Sequence, residues 1–212
     1  MQPERLASLV LWLALLTVAV LGAPPAAPDT NDVILKMLTG RLDGVNTSLF
    51  ALFNVMGVFP MAFLAVLAFD STEQRVPKWP FIVLSFGLGA YVLLLYFVAR
   101  RWNLPRRATS TWWLRLLGSR VFGGVLTVVS LTLVALFVVG GVHDFLEHVR
   151  TEQFPFAMSL DFLACCVAAG LLGREEAKVR GQRALQWLSL VPAVGLPLVL
   201  VFRSTAGTQT PR

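Results

Sequence analysis

The chain has 212 residues, of which 56% are hydrophobic and only 14% charged, with a mean hydropathy of +0.71 and a formal net charge of +6. Soluble domains carry about one-quarter charged residues, so this composition excludes a soluble globular protein and marks an integral membrane protein. In such a chain the basic excess reports topology and contact with anionic lipid head groups, not nucleic-acid binding.

A bilayer core of roughly 30 Å takes about 20 apolar residues per helix. Six runs of that kind follow one another: Leu6–Ala23, Asn46–Phe69, Pro80–Ala99, Val121–Val142, Phe156–Gly173 and Ala184–Phe202. None shows the ten-residue alternation of an outer-membrane barrel, so helices are left as the way to satisfy the backbone in lipid. The expectation is an all-α fold: a polytopic bundle of six transmembrane helices, one integral membrane domain over 1–212, with halves at 1–107 and 108–203 and a disordered tail over 204–212.

The first run resembles a signal peptide in length. Its flank holds only Arg5 beside Glu4, and proline directly follows Ala23, which argues against cleavage and for a retained helix. Distributing the 18 Lys and Arg residues over alternate sides of six spans puts 12 on one side and six on the other. The richer side includes Arg100, Arg101 and Arg106 to Arg120, and is expected in the cytoplasm, with both termini outside.

The second run contains "SLFALFNVMGVFPMAF", in which Asn54, Gly57 and Pro60 each weaken a buried helix. Pro60 removes a backbone donor and presses on the carbonyl of Met56, which predicts a kink. Gly57 would let another helix approach it, and Asn54 would bond across to that neighbour or to a freed carbonyl. The third run carries Gly87-x-Gly89, which reads as close helix packing.

A weak internal repeat joins the third run to the sixth. "WPFIVLSFGLGAYVLLLYFVAR" (Trp79–Arg100) and "WLSLVPAVGLPLVLVFR" (Trp187–Arg203) both begin with Trp, pass through Ser and Gly, and end in Phe and Arg. A three-helix unit repeated once gives inverted halves, the plan of many secondary transporters, with the site between the halves near the midplane. Asn54 and Asp161 are the candidate polar pair of such a site. The alternative is that any two apolar hairpins ending at a basic boundary look alike.

"HDFLEH" precedes the fifth run and places His143 with Glu147, and Asp144 with His148, at i, i+4 on a helix. With Asp161 these side chains are weak candidate ligands for a divalent cation, and suit proton exchange equally. The bland reading is a polar helix end at the membrane surface. Asp161 differs from them because a charge inside a span costs roughly 2.5 to 3.5 kcal/mol on insertion scales. Cys165 and Cys166 are adjacent and read as packing residues. No catalytic or cofactor motif is present, so the chain leans away from an enzyme. Three readings stand: a small transporter or permease; an accessory factor for a membrane complex, docking through Gly87, Gly89, Gly123 and Gly124 on a membrane-protein partner or a second copy; and a membrane-bound enzyme with an outer pocket around His143, His148 and Asp161.

"NTSLFALFNVMGVFPMAF", Asp70 and "VPKWPFIVLSFGLGAYVLLLY" resemble an uncharacterised family of multispanning membrane proteins of photosynthetic lineages. The C-terminal "SLDFL" and "GLPLVLVFR" resemble a second small membrane domain of unknown function. The resemblance implies an architecture and a membrane location, a bacterial inner membrane or a thylakoid, not a reaction. This chain departs from the family pattern at Leu94-Leu95-Tyr96.

Overall fold

A computed structural model describes residues 2–70, 74–104 and 111–203; the expected tail over 204–212 lies outside these. The described residues form helices only: α1 (Pro3–Leu21), α2 (Thr30–Thr39), α3 (Thr47–Leu67), α4 (Lys78–Ala99), α5 (Trp112–Gly118), α6 (Arg120–Val139), α7 (Val142–Thr151), α8 (Gln153–Val179), α9 (Arg183–Leu188) and α10 (Gly195–Phe202). Five of them, α1, α3, α4, α6 and α8, are long and apolar enough to cross a membrane. The fold is a membrane-embedded helical bundle.

Two of the six expected spans do not form as straight helices. In α4 the backbone leaves helical geometry at Gly89, with φ 51° and ψ −133°. A straight helix of 22 residues would hold its ends about 33 Å apart. Instead both ends of α4 meet at Asp70: Lys78 Nζ donates to the Asp70 carbonyl at 3.2 Å, and Arg100 Nη2 donates to Asp70 Oδ1 at 3.0 Å. The rings of Phe81 and Tyr96 lie 5.4 Å apart, one from each half. Helix α4 is therefore a hairpin of two half-helices. The sixth run is a second hairpin, in which α9 and α10 flank a turn over 189–194 and Gln182 Nε2 donates to the Phe202 carbonyl at 3.3 Å.

This geometry corrects the expected inverted halves. A long helix, a short amphipathic helix, a second long helix and a hairpin occur twice in the same order, as α1–α4 and as α6–α10, with α5 between them. Helices α1 and α6 start at one end of the bundle: Arg5 donates to the Arg100 carbonyl, and Gly123 packs on Leu200 just before Arg203. Each unit runs down the bundle and back, and its hairpin returns to the end it left, so the second copy begins where the first began. Two traversals per unit give parallel copies; three would have given inverted ones.

The two units are locked together by charge. Arg100 pairs with Asp70 of its own unit and with Glu175 of the other, both at 3.0 Å. Arg203 pairs with Glu176 of its own unit at 3.0 Å, and its guanidinium lies 5.5 Å from the ring of Phe69 in the other. Asp70 and Glu176 are thus counterparts, as are Phe69 and Glu175. At this end stand Trp79 and Trp113, their rings 5.8 Å apart and tilted by 55°, and the exposed Trp112 and Trp187. The opposite end carries α2 and α7, whose apolar faces meet α3 and α8 through Met37, Leu49, Phe145 and Met158.

Candidate functional site

The break in α4 makes a new helix start inside the bundle. The first N–H groups of a helix have no partner in their own helix, and deep in an apolar bundle no water replaces one. Asp161, on α8, supplies the acceptor: Ala90 N–H donates to its Oδ1 at 2.7 Å. The carboxylate also faces the positive end of the half-helix dipole. At Gly89 a Cβ would overlap this carboxylate, and the φ of 51° is one that side chains rarely adopt. Gly89 is required by the turn and by Asp161. The expected Gly87-x-Gly89 packing motif therefore resolves into two unrelated positions, since a Cβ at Gly87 meets nothing within 4 Å.

The second-run triad is arranged differently from expectation. Asn54 Nδ2 donates to the Phe50 carbonyl of its own helix at 2.8 Å, and among the described residues no hydrogen bond joins Asn54 to Asp161. An amide four residues along from a carbonyl on the same helix satisfies itself without a neighbour. Gly57 is exposed with open space around its Cβ position, so among the described residues no helix packs there. Pro60 is buried within α3, which is assigned as one helix from Thr47 to Leu67. The interruptions that shape the fold fall at Gly89 and at 189–194.

The "HDFLEH" segment forms α7 and stays at the surface. His143 is 94% exposed, with Nδ1 3.6 Å from Asp144 Oδ1. His148 Nδ1 lies 2.5 Å from Glu152 Oε1, and Glu147 is exposed. Among the described residues no group of three His, Cys, Asp or Glu side chains is placed to hold a metal. Asp161 faces the α4 break instead. Cys165 is buried and Cys166 partly so, both unbridged.

Sequence reasoning missed the charged cluster at the hairpin ends. Arg100 is completely buried, with Nη2 shared by Asp70 and Glu175; Tyr96 Oη donates to Asp70 Oδ2 at 3.1 Å. Among the described residues Arg100 Nε and Nη1 have no hydrogen-bond acceptor, and the guanidinium sits against aromatic faces, the Trp102 ring being 4.7 Å from Cζ. The signal was present in the paired endings "FVAR" and "VFR", where an arginine closing an apolar run passes for a boundary charge.

A cavity of about 490 Å³ opens on the other side of α8, lined by α3, α6, α7, α8 and the tip of the second hairpin. Leu52, Val55, Phe137, Val149, Phe162 and Ala193 contribute to its wall, and among the described residues Ser159 is its one polar side chain. Asp161 and Asn54 are not part of it. No family model, curated protein or solved structure matches the chain.

Proposed function

We propose that the chain is a small transporter-like membrane protein whose working polar site is the Asp161 carboxylate on the broken helix α4. The observation that carries this reading is the bond from Ala90 N–H to Asp161 Oδ1 within an apolar span. Half-helices whose N-termini meet a polar group inside the membrane are the construction used by secondary transporters for ion and substrate sites, and an ionisable group at that depth is costly unless used. The hairpins α4 and α9–α10 are read as re-entrant segments that leave the membrane on the side they entered.

Orientation follows from the same topology. Arg5, Arg75, Lys78, Arg100, Arg101, Arg115, Arg120, Arg174, Lys178, Arg180, Arg183 and Arg203 belong to the ion-pair end, against Lys36, Arg41 and Arg150 at the other. Positive-inside bias then puts the ion-pair end in the cytoplasm, or in the equivalent compartment of a thylakoid, with the start of α1 and the end of α10 there. This reverses the orientation expected from six straight spans, because two of those spans return to their own side.

The test uses the purified chain in vesicles loaded with the pH dye pyranine. Wild type should dissipate an imposed pH gradient faster than protein-free vesicles, and Asp161→Asn should not. Equal rates for wild type and empty vesicles would overturn the reading. A second reading, an accessory factor in a membrane complex, is favoured by the open surroundings of Gly87 and Gly124. It is supported if detergent-solubilised protein carries a stoichiometric partner.

A further inference from the structure

We propose that the apolar cavity beside α8 is a binding site for one acyl chain of a bilayer phospholipid. Water has little to hold it there: among the described residues Ser159 is the only polar side chain in the wall, and its hydroxyl is already donated to the Pro155 carbonyl at 2.8 Å. The hairpin tip that closes the cavity satisfies its own backbone, with Val194 N–H on the Pro192 carbonyl at 2.7 Å and Gly195 N–H on Val191 at 2.8 Å. A space of about 490 Å³ lined by carbon and left empty would forfeit dispersion contacts over its whole wall. The rim residues Val134, Leu146 and Leu163 are exposed, which in a bilayer means exposed to lipid chains. Among the molecules present at that depth, an acyl chain is the one that is apolar, long and abundant.

The repeat sharpens the argument. Val55 precedes Asp70 by the same fifteen residues that separate Asp161 from Glu176, so Val55 holds in α3 the place that Asp161 holds in α8. The first hairpin tip is sealed by a carboxylate. At the second tip the corresponding residue is valine, the tip needs no acceptor, and the space remains open. Ala193 holds a left-handed φ of 61° and lines the cavity with its methyl group where glycine would be the easier residue. One of two similar units has been made polar and closed, the other apolar and open.

The experiment reconstitutes the full chain in phosphatidylcholine vesicles containing a trace of phosphatidylcholine with a diazirine at the end of one acyl chain. After illumination, the labelled residues are mapped. Labelling should concentrate on Leu146 and Val149 of α7 and on Leu163 of α8, fall severalfold in Leu163→Trp, and be unchanged in Val125→Trp, which alters an exposed position on α6 outside the cavity. Should Leu163→Trp fail to give monodisperse protein, Val134→Trp blocks the cavity from the opposite rim. Labelling spread evenly over the exposed faces of α1 and α6, or unaffected by either rim tryptophan, would overturn the proposal.

Discussion

Arg100 and Asp70 are 30 residues apart in the chain and 3.0 Å apart in the fold, both side chains fully withdrawn from solvent. Their pairing closes the α4 hairpin at its base, and the same guanidinium reaches Glu175 and so ties the first unit to the second. Removing one member of a buried pair leaves the others uncompensated, at a cost of about 3 to 5 kcal/mol. Arg100→Met should therefore lower the thermal unfolding midpoint in detergent sharply. Combining Arg100→Met with Asp70→Asn and Glu175→Gln should recover part of the loss. A triple variant less stable than the single one would show that the charges are not stabilised mainly by one another.

Gly89 and Gly87 provide a contrast two residues apart. A Cβ at Gly89 would overlap the Asp161 carboxylate in a backbone region that suits only glycine, so Gly89→Ala should collapse the hairpin and yield little folded protein. Gly87 is helical and unobstructed, and Gly87→Ala should be neutral or stabilising by up to about 1 kcal/mol. Expression level and size-exclusion profile distinguish them. Equal behaviour of the two variants would remove the special role assigned to Gly89.

Orientation can be read by cysteine labelling in a background with Cys165 and Cys166 replaced. Lys36→Cys on α2 should react with a membrane-impermeant maleimide added to intact cells, and Arg115→Cys on α5 only after permeabilisation. The reverse pattern would mean that the basic end faces outward despite its excess of Lys and Arg.

How much of this was legible in the residues is clearest at the hairpins. Hydropathy located all six apolar runs because burial in lipid is written into composition, and Trp79–Arg100 and Trp187–Arg203 were recognisable as related text. Whether an apolar run crosses or turns back depends on one backbone position, and Gly89 looks the same in sequence as a packing glycine. The sign of the repeat followed from that single uncertainty: counting α4 as a crossing inverts the second copy, while folding it back makes the copies parallel. Asp161 stood out because charge in a span is costly. Its partner, a backbone N–H of Ala90, carries no mark in the sequence at all. Asn54 attracted a partner on paper that its own helix already supplies.

The turn in α4 has a direct distance test. Trp79 and Arg101 flank the hairpin, and a straight helix would separate them by about 33 Å at 1.5 Å per residue. In the fold, Gln74 Nε2 donates to the Arg101 carbonyl at 2.9 Å, and Lys78, next to Trp79, donates to Ala68 and Asp70, so the two flanks lie at one end of the bundle. Spin labels at Trp79→Cys and Arg101→Cys, in the background lacking Cys165 and Cys166, should give a pulsed dipolar distance well under that of a straight span. The same pair in an Asp161→Leu chain supplies the second arm, because the break then loses the acceptor of the Ala90 N–H. There the distance should lengthen or its distribution broaden. A long, narrow distance in the parent protein would restore the crossing helix, and with it the inverted arrangement of the two units.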